Sequence, residues 1–227
     1  MVVRTRIKVC GITEPEAAAA AQAAGVDALG FIFAPQSPRR IEPEKAKEII
    51  GSIPLFTDAV GVFVDEDPQV IEEIVQYCGL TVVQLHGTES PVVCSKLPFR
   101  KIKAFRVSPQ TEAEELALYS GQVDSFLLDT YRQGLAGGTG ETFDWGLVEK
   151  IAPPGPVILA GGLNPDNVAA AIRQVRPYAV DVNSGVESAP GCKDLEMICR
   201  FVQEVRRADM SLADCTGDHG NNSRQGE

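Results

Sequence analysis

Cys10, His86, Asp129 and Asp181 are the side chains whose types and placement could carry acid–base chemistry. A thiol and a carboxyl can exchange protons with a small molecule when their surroundings bring each into the form its role needs. Each belongs to a short, apolar, β-branched run: Cys10 ends Arg6–Cys10, His86 ends Thr81–His86 and Asp129 ends Ser125–Asp129. Asp181 lies in Tyr178–Val182, which runs on into Asn183 and Ser184. Side chains alternate along a strand, so Lys8 and Cys10 share one face while Ile7 and Val9 share the other. Taken alone, Cys10 reads as a small buried apolar residue, the commoner fate of a free cysteine. Its partners at other strand ends are what turn it into a candidate reagent.

The elements that must position these ends alternate regularly. Strands are expected at 7–9, 27–33, 59–63, 81–86, 101–105, 125–129, 156–160 and 178–182. Between and after them lie helical patterns at 17–24, 44–50, 69–77, 90–97, 111–119, 145–151, 165–175 and 194–207. Thr13 is placed as the cap of the first helix, with Pro15 in its first turn, Glu16 at the capping-box position and Gly25 as its stop. Eight βα units predict a small α/β protein, a single-domain (β/α)8 TIM barrel over residues 1–207. An open doubly wound sheet is the alternative, because alternation alone does not close a barrel. Residues 208–227 are polar and without hydrophobic periodicity, which predicts a disordered tail.

The chain has 227 residues, a formal net charge of -10 and a pI near 4.8, which argues against nucleic acid or an anionic membrane surface as partner. No stretch reads as a signal peptide, and no apolar run approaches the ~20 residues a membrane span requires. We therefore expect a cytoplasmic protein, a monomer or a homodimer. The six cysteines are scattered, with no Cys-x-x-Cys pair and no histidine at ligand spacing, so neither a disulfide framework nor a zinc site is indicated.

In such barrels chemistry sits where strands end, and phosphorylated ligands bind the loops after strands seven and eight. Here those loops are Gly161-Gly162-Leu163-Asn164-Pro165 and Asn183-Ser184-Gly185-Val186-Glu187. Glycines let a phosphate approach backbone N–H groups, which makes Gly162, Ser184 and Gly185 candidate phosphate contacts. The stretch 134–140 is glycine-rich and could serve as a lid. Arg39, behind Pro38 in the loop after strand two, could hold a carboxylate in bidentate fashion, although an arginine pair such as Arg39-Arg40 is also ordinary surface chemistry. His86 is either a hydrogen-bonded wall residue or a substrate contact. No Gly-x-Gly-x-x-Gly opens a helix after strand one, which weakens a nicotinamide reading.

Taken in order, Lys8-Val-Cys-Gly-Ile-Thr13, Gly30-Phe-Ile-Phe33, Ser37-Pro-Arg39, Val60-Gly-Val-Phe63 and Val83-Gln-Leu-His-Gly87 form a consistent set. Leu127-Leu-Asp-Thr130, Gly137-Gly-Thr-Gly140 with Thr142-Phe-Asp-Trp145, Ala160-Gly-Gly-Leu-Asn-Pro165 and Asp181-Val-Asn-Ser-Gly-Val-Glu187 complete it. The set resembles the phosphoribosylanthranilate isomerases of tryptophan biosynthesis. The resemblance implies an Amadori rearrangement of N-(5-phosphoribosyl)anthranilate, with Asp129 as general acid and Cys10 as general base. It further implies that Arg39 holds the anthranilate carboxylate, that His86 and Asp181 contact substrate, and that Gly162, Ser184 and Gly185 hold its phosphate. No metal or organic cofactor is implied, and the partner is a small phosphorylated molecule.

A free aspartate titrates near ~3.9 and a free cysteine near ~8.5, so these roles ask the site to raise Asp129 and lower Cys10. Lys8 is the candidate to lower Cys10, unless it is taken up by a carboxylate such as Asp181. One departure from the pattern is Cys192, where a second basic residue is expected. Two competing readings remain: the related sugar-phosphate isomerase of the histidine pathway, against which Cys10 counts, and a silent barrel that senses a phosphorylated metabolite.

Overall fold

A computed structural model describes residues 4–129 and 145–217, with the side chains of 214–217 excepted. Eight strands pair in parallel and in sequence order: β1 (Arg6–Cys10), β2 (Ala28–Ile32), β3 (Asp58–Phe63), β4 (Val82–Leu85), β5 (Lys101–Arg106), β6 (Ser125–Asp129), β7 (Val157–Ala160) and β8 (Ala179–Val182). β8 pairs back onto β1, with Lys8 opposite Asp181, so the sheet is a closed barrel and the open-sheet alternative falls. The helices between them are α1 (Pro15–Ala24), α2 (Pro43–Ile50), α3 (Pro68–Cys78), α4 (Pro91–Lys96), α5 (Ala113–Ala117), α6 (Gly146–Ile151) and α7 (Val168–Val175), and α8 (Leu195–Gly217) closes the chain.

Alternation along the strands builds two cores. Val60, Val82, Ile102, Leu127, Ile158 and Ala179 fill the barrel interior. Ile7, Leu29, Phe31, Phe63, Phe126 and Leu128 face outward and pack with helix residues such as Ala21, Ile71, Ile172 and Phe201. Each of these larger side chains contributes about 1.5–3 kcal/mol on burial. Polar side chains fasten some strand beginnings: the Ile7 N–H donates to Asp27, the Lys101 N–H to Asp124 and the Ala59 N–H to Thr81.

Two local expectations change. Thr13 does not cap α1: its hydroxyl donates to the Gly191 carbonyl, and Glu14 occupies the cap position without a side-chain hydrogen bond. Pro15 and Gly25 bound the helix as expected. The disordered tail does not begin at residue 208, because α8 continues to Gly217. Val205 and Ala208 are buried and Leu212 packs against the core, a stripe at helical spacing hidden in a polar composition. Asp209 on the same helix accepts hydrogen bonds from the Thr5 N–H at 3.0 Å and its hydroxyl at 2.6 Å, tying the helix to the start of β1. The proposed lid at 134–140, Thr130 and the Thr142-Phe-Asp144 motif lie outside the described residues.

After β8 a three-residue 3-10 helix (Ser184–Val186) leads into a two-stranded antiparallel ribbon, β9 (Glu187–Ala189) and β10 (Cys192–Lys193). Sequence patterning does not anticipate the ribbon, since strands this short carry no periodic signal.

Candidate active site

A cavity of about 400 Å³ opens at the strand ends, and Cys10, Arg39, His86, Asp129, Gly162, Asp181, Ser184 and Gly185 all line it. Chain order separates them widely; barrel closure gathers them.

Cys10 ends β1 and points inward beside Ile32, Ala34 and Val62, an apolar patch that keeps it buried. Its neighbour across the β1–β2 pair is Gly30, where a Cβ would stand 2.8 Å from the Cys10 Sγ and 3.0 Å from its Cα. Only glycine leaves room for that thiol. One rung earlier, Lys8 faces the barrel interior and its Nζ lies 3.0 Å from both Asp181 oxygens. Burial opposes the Lys8 charge, but Asp181 and Cys10 outweigh it and raise the ammonium above its ordinary pKa. The two-oxygen geometry makes this a lysinium–carboxylate pair.

Burial also decides Cys10, in the opposite sense to the sequence expectation. Desolvation pushes the thiol up; Lys8 and, more weakly, Lys193 pull it down without prevailing, and Asp181 adds to the rise. Cys10 is therefore held as a thiol above its ordinary range. A cation beside a cysteine was legible in the sequence, whereas the depth of its burial was not.

Asp129 ends β6, and its Oδ2 lies 3.5 Å from the His86 Nε2. The Nδ1 of that ring lies 3.0 Å from the Gln84 amide nitrogen. With the amide donating, Nδ1 accepts and the ring proton sits on Nε2, turned toward Asp129. Gln84 is buried and lines the cavity, but sequence reasoning passed over it as a strand residue. Its signal was available: a glutamine two residues before His86 shares its face.

The two glycine loops meet. A Cβ on Gly185 would lie 1.8 Å from the Leu163 carbonyl oxygen, so the loop after β8 can cross the loop after β7 only as glycine. Asn164 and Asn167 brace the β7 loop: the Asn164 N–H donates to Asn167 Oδ1, and the Asn167 amide donates to the Gly162 carbonyl.

Arg39 lines the cavity from the loop after β2, but its guanidinium is engaged. Its Nε lies 2.8 Å and 3.1 Å from the two Glu187 oxygens, and its Nη2 lies 2.7 Å from Oε2. Lys193 donates to the same Glu187 at 2.8 Å. Cys192, where a second basic residue is expected, is exposed, and the basic residue next to it, Lys193, is engaged by Glu187 and Asn183. Neither Glu187 nor Lys193 was singled out from sequence, because their partnership depends on the unanticipated ribbon. Among the described residues no group of His, Cys, Asp and Glu could hold a metal ion, and no helix is long and apolar enough to cross a membrane.

The N-(5'phosphoribosyl)anthranilate isomerase family model matches residues 7–204. The chain belongs to that family. A family member from Moorella thermoacetica is 52% identical over 205 residues, covering 90% of this chain and 91% of that protein. Another from Trichlorobacter lovleyi is 49% identical over 204 residues, covering 89% and 98%. Among solved structures, the phosphoribosyl anthranilate isomerase of Thermotoga maritima superposes with a TM-score of 0.80 at 42% identity, covering 89% of this chain and 99% of that one. An isomerase solved with reduced 1-(o-carboxyphenylamino)-1-deoxyribulose 5-phosphate gives a TM-score of 0.78 at 40% identity, with the same coverage.

Proposed function

We propose that the protein converts N-(5-phosphoribosyl)anthranilate to 1-(2-carboxyphenylamino)-1-deoxyribulose 5-phosphate, the aldose–ketose isomerisation of tryptophan biosynthesis. The observation that carries the assignment of roles is that Cys10 and Asp129, from opposite parts of the chain, line one cavity. Arg39 lines it too, as do the crossing glycine loops. Asp129, as a carboxylic acid, protonates the furanose ring oxygen; the C1–O bond breaks as the anilino nitrogen lone pair moves in, leaving a protonated Schiff base. Cys10, as thiolate, takes the proton from C2, and the C–H electrons pass through C1–C2 to neutralise the nitrogen. The resulting enol then moves its hydroxyl proton to C1 through the site to give the ketone. The Cys10 thiol proton passes to solvent before the base step; after product leaves, the proton taken from C2 leaves Cys10 for solvent and Asp129 takes one up, so atoms and charge balance and the enzyme returns to its starting form.

The raised thiol pKa fits this order of events. Burial favours the protonated form of Cys10. A protonated Schiff base brings a second cation beside it and adds to the pull of Lys8, which favours the thiolate at the moment a base is required. His86 is assigned to orient the Asp129 carboxyl as well as to contact substrate. The Lys8–Asp181 pair underlies Cys10, and Asp181, which also lines the cavity, is assigned a substrate contact. Arg39 is assigned the anthranilate carboxylate, and Gly162, Ser184 and Gly185 the phosphate.

All these groups belong to residues 1–207 of one chain, an arrangement that suits a monomer and a homodimer alike. A cytoplasmic setting is part of the proposal, supported by the five described cysteines being free thiols. The decisive experiment is direct: purified protein should consume fluorescent phosphoribosylanthranilate, and the gene should rescue a tryptophan auxotroph lacking this step. Failure of both, with phosphorylated ligand still bound, would leave the silent binder as the better reading.

A further inference from the structure

A guanidinium offers a carboxylate two bidentate edges, one made by Nε and Nη2 and the other by Nη1 and Nη2. Glu187 takes the first edge of Arg39, with Nε–Oε1 at 2.8 Å and Nη2–Oε2 at 2.7 Å. Among the described residues nothing bonds the second edge. Arg39 lines the cavity while Glu187 does not, so the carboxylate stands behind the guanidinium rather than between it and a ligand.

Lys193 completes the arrangement. Its Nζ donates to Glu187 Oε1 at 2.8 Å, to the Asn183 carbonyl at 2.9 Å and to the Asn183 Oδ1 at 2.8 Å, which uses all three ammonium protons. The side chains of Glu187 and Lys193 are only 4% and 1% exposed, and the two residues are register partners across the β9–β10 ribbon. Alone, Arg39 and Glu187 would form a neutral pair with little attraction for an anion. Burial lowers the Lys193 ammonium from its ordinary range and Glu187 supports it; with Lys193 protonated the trio carries one net positive charge, and Arg39 is its most accessible member. The stem of Arg39 is confined as well: a Cβ on Gly11 would stand 3.0 Å from its Cδ and 2.7 Å from the Asn183 Oδ1. Burial works against the Glu187 charge, yet Arg39 and Lys193 outweigh it and keep the carboxyl below its ordinary range.

We propose that Glu187 and Lys193 are positioning residues that grip Arg39 along its Nε–Nη2 edge, aim its Nη1–Nη2 edge into the cavity and leave a net charge of +1 for the aryl carboxylate of the substrate. This inference rests on the assignment of Arg39 to that carboxylate. It makes Glu187, an acidic residue beside an acidic ligand, a determinant of affinity for that ligand.

The test compares binding of two probes: the reduced product analogue, and the same molecule with hydrogen in place of its aryl carboxylate. Glu187→Gln should weaken the first by roughly tenfold, the scale of one charge-assisted contact, and leave the second unchanged. Its steady-state effect should fall on KM. Glu187→Asp, which keeps the charge on a shorter arm, should restore part of the lost preference and guards against a folding defect in the glutamine variant. In an Arg39→Ala background Glu187→Gln should add nothing. Equal weakening of both probes, or full additivity with Arg39→Ala, would show a structural role and overturn the inference. If Arg39→Ala erases the preference for the carboxylate and neither Glu187 variant alters it, this inference alone fails. If Arg39→Ala itself leaves the preference intact, the assignment beneath it fails too.

Discussion

Two buried lysine–carboxylate pairs lie on opposite faces of the same barrel wall. Lys8 and Asp181 face the interior from β1 and β8; Lys103, on β5, faces outward toward Glu89 in the loop after β4. Both pairs are nearly solvent-free and both span 3.0 Å. They differ in what surrounds them. Lys103 also donates to the Gly87 carbonyl at 2.8 Å and the Ala104 carbonyl at 3.1 Å, and Glu89 accepts the N–H groups of Asp65 and Gly87. Backbone groups consume that pair's remaining capacity, so it fastens loops. The inner pair has a cavity on one side and the Cys10 thiol as its next neighbour, so its field acts on a group that can react. Residue type does not separate an ion pair that fastens loops from one that faces the cavity; the partners that fill the remaining valences do.

The comparison can be broken most sharply from the outside. Lys103→Met leaves Glu89 buried without its counter-charge and should cost about 3–5 kcal/mol of stability, read by denaturant unfolding. Turnover per folded molecule should stay near normal; a large loss would make the outer pair part of the chemistry. On the inner face, Cys10→Ala and Asp129→Asn should each lower turnover by at least ~10²-fold with the fold intact, the lower end for a general base or acid. Near-normal turnover in either purified variant would remove that role.

A smaller effect belongs to Arg39→Ala, which should raise KM by roughly tenfold or more while turnover changes less, because the carboxylate contact proposed for it would be made in ground and transition states alike. A change confined to kcat would contradict it. The pH dependence sharpens the inner half of the contrast. A base acts deprotonated and Cys10 is held above the ordinary thiol range, so kcat/KM should still be rising with pH through ~8.5, where a free thiol is half ionised. Lys8→Met removes the strongest downward pull and should move that limb to higher pH; a limb already flat at neutral pH in the native protein would refute the burial argument. The smallest change is Asp209→Ala, which should cost about 1 kcal/mol by releasing Thr5, with no effect on turnover.

Much of the architecture was legible because it is local. Short apolar, β-branched runs mark eight strands, proline and glycine bound several helices, and Cys10, His86 and Asp129 close their runs whatever the tertiary arrangement. Those features, with the ordered motifs, carry the barrel, the family and the residues that line the cavity. Other features depend on groups distant in the chain. Lys8 had two open roles in the sequence, and the β8–β1 closure that sets it opposite Asp181 gives it both, a paired ammonium that still pulls on Cys10. Glu187 and Lys193 came together through a ribbon too short to show a period, and Gln84 acquired a role from the ring beside it. The expected start of the tail at residue 208 came too early because three apolar positions at helical spacing, Val205, Ala208 and Leu212, suffice to dock a polar helix. The sense of the Cys10 shift is the clearest case. Charge neighbours can be guessed from a strand, but a pKa reflects their balance against desolvation, and desolvation is set by the packed surroundings of the folded chain.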